Sequence, residues 1–321
     1  MKFKNEHPHL AGQVDKIPDL MFADRAPATV KKYASAFQRW CKWAQEHALK
    51  SLPADPVGIS VYLLNVASSS ESASPVLSAL HGIDWAHRKA GLDCPSRHAV
   101  LAQVVDGLKR QLARPAQKMQ PLTCFHLEQL VAEFGQHPWR LQDLQMLSLI
   151  TLGFRGFFRW SDLSEIHTND IHFSNDFVSV FLARRKNDQF REGHIIPIAR
   201  SESTACAVKW LERFLQAAGH EANAPLFGKV RTVGSKSCIR EKMTYSSARE
   251  RLKDMLEKIG LDASKFCLHS LRSGGASAAL RTEGIPIRLV QRHGGWRRIE
   301  SLEGYIEESL DNLLCVSRRL D

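Results

Sequence analysis

The residues best suited to chemistry lie toward the C-terminal end of the chain. His269-Ser-Leu-Arg272-Ser-Gly-Gly-Ala sets an imidazole and a guanidinium three residues apart. Positions three apart on a helix share a face, so the two side chains would point the same way. A helix beginning here would add backbone amides at an N-terminus that favours anions. Gly274 and Gly275 would let another backbone come close. Trp296 follows, and Tyr305 stands nine residues after it. A guanidinium binds two phosphate oxygens at once and stays charged. A phenol, with a reference pKa of about 10, attacks well only when neighbouring cations help it ionise. These parts suit phosphoryl transfer, which depends more on positioning and electrostatics than on covalent chemistry.

Composition is consistent with a polyanionic partner. The 321 residues are 44% hydrophobic and 24% charged, with a formal net charge of +10. That length suits two domains, each with its own core. The positive balance fits nucleic acid, because lysine and arginine gain by releasing counterions from phosphates. Charge alone fits an ordinary basic soluble protein equally well. The seven scattered cysteines, an odd count without a C-x-x-C pair, argue against a disulfide framework or a zinc knuckle and for a reducing compartment. No H-E-x-x-H, Walker-type or dinucleotide motif occurs, so no metal or nucleotide cofactor is expected. No apolar run is long enough for a membrane span, and MKFKNEHPHLAGQ has no apolar core of a secretory signal.

The rest of the sequence describes what must position these groups. Residues 1–27 are polar, hold Pro8, Pro18 and Pro27, and read as a flexible arm with a short turn near Leu20–Phe22. Val30, Tyr33, Phe37, Trp40 and Trp43 recur at helical spacing, with Thr29 as a candidate cap. Further helices are expected at 56–67, 75–90 and 96–112, giving a helical domain over 28–113. Arg114–Pro121 reads as an extended linker with two prolines. In the second domain, 122–321, helices are expected at 124–135, 141–154, 202–218, 245–259, after His269, and at 286–292 and 301–318. Phe177–Leu182 and His194–Ile198 should form a hairpin, with Pro197 placing the second strand at an edge. The expected class is mainly α: a helical domain followed by a mixed α/β domain with a small antiparallel sheet.

HSLR, then GIPIRLVQRHGGW, then a tyrosine nine residues after the tryptophan, resembles the tyrosine recombinases of the phage-integrase family. The resemblance covers the second domain; the helical first domain matches the family's core-binding domain only in layout. It implies that the enzyme cuts and rejoins double-stranded DNA through a covalent 3′-phosphotyrosine on Tyr305, without metal or ATP. Further implied residues lie upstream. In TLGFRGFFRWSDLSEI, Arg159 fits the family's R-x-x-(E/D)-L better than Arg155, and Asp162 would orient nearby groups or simply cap a helix. In ARRKNDQF, Lys186 matches the family's hairpin lysine, which protonates the leaving 5′-oxygen, while Arg184 and Arg185 would touch backbone phosphates. Trp296 stands where many relatives carry histidine; its indole N–H can donate one hydrogen bond but cannot shuttle a proton, so acid–base work would rest on Lys186 and His269. Arg159, His269, Arg272 and Trp296 would then hold the phosphate oxygens. His293 lies at the wrong distance from Tyr305 and reads as structural or DNA-facing.

Of the other tyrosines, Tyr33 and Tyr62 read as core and Tyr245 as the start of a helix. Lys31, Lys32, Arg39, Lys42, Arg88, Lys89, Lys109 and Arg110 form a candidate phosphate track in the first domain. The tail Ile306, Leu310, Leu313, Leu314, Val316 is an amphipathic pattern that would dock on a neighbouring protomer or on its own domain. The resemblance implies a homotetramer on paired DNA sites. The segments around 71–91 and 269–280 look like recombinases of eukaryotic mobile elements such as DIRS-type retrotransposons or cryptons, which would put the protein in the nucleus; a bacterial or phage source would put it in the cytoplasm with the nucleoid. Two rivals stand beside this reading. A type IB topoisomerase carries S-K-x-x-Y, whereas this chain has Ser301-Leu-Glu-Gly-Tyr305. A DNA-binding regulator of the same fold would bind without an adduct.

Overall fold

The computed structural model describes residues 2–115, 118–183, 193–219, 222–233, 236–305, 314–315 and 317–320. The chain divides into two units, Met1–Gln117 and Lys118–Asp321.

In the first unit, the N-terminal segment expected as a loose arm instead forms three short helices: α1 (Lys2–Glu6), α2 (Ala11–Val14) and α3 (Ile17–Phe22). Lys89 ties it down. Its ammonium donates to the Met21 carbonyl and to Asp24 at 2.7 Å, and it lies 5.7 Å from the centre of the Phe22 ring. Phe22 in turn packs on Trp85.

The next helix, α4 (Pro27–Glu46), opens on Pro27 rather than being capped by Thr29. Proline suits that place because its fixed φ is already helical and its missing N–H would have no partner. Helix α5 (Pro56–Ser68) is capped by Asp55, which accepts the Gly58 N–H at 2.8 Å. Helix α6 (Ala73–Lys89) precedes α7 (Ala99–Gln111). Helix α7 starts three residues later than expected because Ser96 sits in a separate turn, held by the buried Asp84 through its N–H (3.2 Å) and hydroxyl (2.5 Å). Trp40, Ile59, Leu63, Ile83 and Leu101 are fully buried at the centre of this unit.

The second unit begins with α8 (Cys124–Phe134), capped by Thr123. Helix α9 (Leu141–Arg155) follows and is buried over nearly its whole length. It packs against α8, α11, α12 and α13, so it is buried on all sides rather than along one stripe, and its buried residues include Asp143, Gln145, Ser148 and Thr151. After it come α10 (Trp160–Leu163), a three-stranded antiparallel sheet, α11 (Ala207–Ala218) and α12 (Tyr245–Lys258). The sheet runs in order β1 (Ile171–Phe173), β2 (Phe177–Leu182) and β3 (His194–Ala199). Val178, Val180 and Leu182 face the core opposite Ile198, Ile196 and His194. Pro197 is on the edge strand, as its missing N–H requires. A second hairpin, β4 (Gly228–Val233) with β5 (Lys236–Lys242), was not expected. The unit closes with α13 (His269–Arg281), α14 (Ile287–Gly294) and α15 (Glu300–Glu303). The fold is mainly α with small antiparallel sheets. Among the described residues no helix is long and apolar enough to cross a membrane.

Candidate active site

Helix α13 begins at His269, so the His–Arg pair sits on its first turn. The helix is pressed against its neighbours because Gly274 and Gly275 lack side chains. A methyl at Gly274 would meet the Leu122 carbonyl and stand 2.9 Å from Phe154 Cε2; at Gly275 it would meet the Phe154 carbonyl. The Leu122 N–H also donates to the Ser270 carbonyl at 3.0 Å. The start of α8 and the end of α9 thus fix where His269 and Arg272 can stand.

Arg272 is completely buried. Its guanidinium donates Nη1–H to the Phe157 carbonyl and Nη2–H to the Gly294 carbonyl at 3.0 Å. The face of that guanidinium lies 4.0 Å from the centre of the Trp296 ring, and 5.8 Å from that of Tyr305. Phe157 reaches its place with φ of +49°, a left-handed conformation that is uncommon for a bulky residue and costs of order 1–3 kcal/mol. The Gly294-Gly295-Trp296 sequence also has a steric reason. The Trp296 ring folds back over Gly294, where a Cβ would overlap it, and Gly295 takes φ of +65° to make that reversal.

Tyr305 joins the same cluster. Its hydroxyl lies 3.0 Å from His269 Nε2, and its ring packs edge-on to Trp296 with centroids 5.2 Å apart. Its carbonyl accepts the Ser277 hydroxyl at 2.6 Å, which ties the tyrosine back to α13. The phenol is half-buried and the imidazole exposed, so both are open to a ligand on one side. The contact makes His269 the group placed to take the phenol's proton. His269, Arg272, Trp296 and Tyr305 are brought together.

Arg159 follows Phe158, fully buried, just before α10. The Asp162 carboxylate, itself 1% exposed, accepts the Arg159 N–H at 3.0 Å and so caps α10. One guanidinium nitrogen of Arg159, Nη1, is buried without a hydrogen-bond partner among the described residues. Such a buried donor is suited to a phosphate oxygen. Arg155, the rival position, ends α9, and its carbonyl bonds to His293 Nε2 at 2.8 Å. His293 also packs edge-on to Phe157, so it is a structural member of the unit. Arg184, Arg185 and Lys186 lie outside the described residues, as does most of the tail pattern after Tyr305.

In the first unit, Lys31, Lys32, Arg39 and Lys42 of α4, Arg88 of α6, and Lys109 and Arg110 of α7 are exposed. Lys89 is engaged with the N-terminal segment instead and, with its side chain 14% exposed, does not belong with them. Tyr62 is core and Tyr33 is partly buried against Trp85. Tyr245 opens α12, half exposed. Sequence reasoning passed over four exposed arginines close to the cluster in sequence: Arg288 and Arg292 on α14, and Arg297 and Arg298 directly after Trp296. Their signal was the doublet beside the tryptophan.

Residues 121–311 match the phage integrase family, which is more than half of the chain and includes every residue of this cluster. The chain belongs to the phage integrase family. As a tyrosine recombinase it is a DNA breaking and rejoining enzyme. It is 27% identical over 288 residues to an integrase/recombinase xerD homolog of Selenomonas ruminantium, covering 88% of this chain and 82% of that one. It is 21% identical over 304 residues to the recombinase cre of Escherichia phage P1, covering 89% and 86%. The fold is that of the XerH site-specific recombinase bound to a palindromic difH substrate in a post-cleavage complex, with a TM-score of 0.60 at 13% identity, covering 86% of this chain and 75% of that one.

Proposed function

We propose that this recombinase cuts one DNA strand at a time through Tyr305 and rejoins it to a new partner, without metal or ATP, in the integration of a mobile element. The observation that carries the reading is the Tyr305 hydroxyl 3.0 Å from His269, above a fully buried Arg272. A new bond forms between the Tyr305 oxygen and phosphorus, and the bond to the 5′-oxygen breaks. The phenol's proton passes to His269. Lys186 supplies the proton taken up by the leaving 5′-oxygen. Arg159, Arg272 and the Trp296 N–H hold the non-bridging oxygens as charge shifts onto them. A 5′-hydroxyl from a second strand then attacks the phosphotyrosine and releases Tyr305. The phosphodiester's energy is kept in the covalent link, so no nucleotide is spent.

The exposed cations of α4, α6 and α7, together with Arg288, Arg292, Arg297 and Arg298, supply phosphate contacts along the duplex. Exchange between two duplexes calls for four protomers on paired sites. The test uses wild type and Tyr305→Phe with nicked and supercoiled duplex in EDTA, followed by SDS electrophoresis. The expected result is an adduct in wild type alone, with a free 5′-hydroxyl and unchanged DNA binding in the variant. Relaxation without strand exchange would favour a topoisomerase. Tight binding without an adduct, over a broad pool of sequences, would leave a silent DNA-binding protein.

A further inference from the structure

We infer that His293 is a positioning residue that sets the aim of the Arg272 guanidinium. The inference rests on reading Arg272 as the phosphate clamp. Two main-chain carbonyls hold that guanidinium, and they come from different segments: Phe157, in the turn after α9, and Gly294, at the end of α14. His293 joins these segments. It precedes Gly294 in the chain, its Nε2–H donates to the Arg155 carbonyl at 2.8 Å, and its ring stands edge-on to Phe157 with centroids 4.7 Å apart. One side chain therefore spans from the residue beside one carbonyl to the residue that carries the other.

The need for such a brace is local. Phe157 is held in a left-handed conformation, which an unbraced turn would relax. If the turn and α14 drift apart, the two carbonyls no longer match the fork of one guanidinium, and the face that stacks on Trp296 at 4.0 Å tilts with it.

The test compares His293→Ala and His293→Gln, the latter keeping an N–H donor at similar reach. Two readouts are taken on the full chain. The first is single-turnover cleavage of a nicked duplex at saturating protein, alongside the DNA Kd. His293→Ala should slow cleavage by about 10–100-fold with Kd within about threefold, and His293→Gln should recover most of the rate. The second is the NMR spectrum of the Arg272 side-chain N–H groups, assigned with Arg272→Lys. These signals should be shifted or broadened in His293→Ala and restored in His293→Gln. Wild-type cleavage and unmoved Arg272 signals in a folded His293→Ala would overturn the inference. If wild type itself forms no adduct, the functional reading fails, and the Arg272 signals still decide the role of His293.

Discussion

Gly274→Ala tests the close approach on which the whole site depends. The added methyl would collide with the Leu122 carbonyl oxygen and stand 2.9 Å from both the Leu122 carbonyl carbon and Phe154 Cε2. Two of these neighbours are backbone atoms, which cannot rotate away. Helix α13 must therefore move off the start of α8 and the end of α9. Overpacking of this kind costs about 1–3 kcal/mol, which for a unit of this size lowers Tm by roughly 2–12 °C. His269 and Arg272 ride on the first turn of the same helix, so the shift reaches the cluster directly. A misplacement of about 1 Å is enough to reduce the cleavage rate by about 100-fold. The control is Gly107→Ala, in the exposed interior of α7, where a methyl meets nothing within 4 Å. There alanine should stabilise by about 0.5–1 kcal/mol, since glycine weakens a helix interior. Thermal melts and single-turnover cleavage give both numbers. A Gly274→Ala protein with wild-type melting and wild-type cleavage would refute the close packing and the argument built on it.

Asp162→Ala removes the cap on the Arg159 N–H and should cost about 1 kcal/mol of stability and about 10–100-fold in cleavage, with DNA affinity kept; Asp162→Asn, which keeps an acceptor, should lie between the two, and full activity in the alanine variant would reduce Asp162 to a passive cap. Arg297→Ala with Arg298→Ala should flatten the dependence of log Kd on log salt by about 0.9 for each phosphate no longer neutralised; an unchanged slope would take both arginines off the DNA. His126 caps α8 by accepting the Thr123 N–H on Nδ1, and burial holds its pKa below the ordinary histidine value. A folded-state pKa below the unfolded one means that the unfolded chain binds the extra proton, so this contribution is present above about pH 6.5 and is lost as pH falls. His126→Gln should make Tm less sensitive to acid between about pH 7 and pH 5, and an equal acid sensitivity in the variant would place the effect elsewhere.

The sequence by itself determined the helices whose faces alternate regularly and the residues whose neighbours in the chain define them. The helical spacing from Val30 to Trp43 and the β-favouring runs Phe177–Leu182 and His194–Ile198 each carry a local signal, and each element formed there. The His269–Arg272 pair was legible for the same reason, because three-residue spacing on a helix is local geometry. Other features had no such signal. The end of the N-terminal segment, at Met21–Asp24, is held by Lys89, more than sixty residues away, and the β4–β5 pairing is made between strands too polar to stand out. Thr29 reads as a cap until Pro27 is seen to take the first helical position. His293 was set aside on its spacing from Tyr305, a correct observation that says nothing of its hydrogen bond to Arg155 across 138 residues. Tertiary structure alone decided how Arg272 is held. A buried guanidinium must find acceptors wherever folding brings them, and here they are the carbonyls of Phe157 and Gly294, groups that every residue carries and no sequence pattern marks.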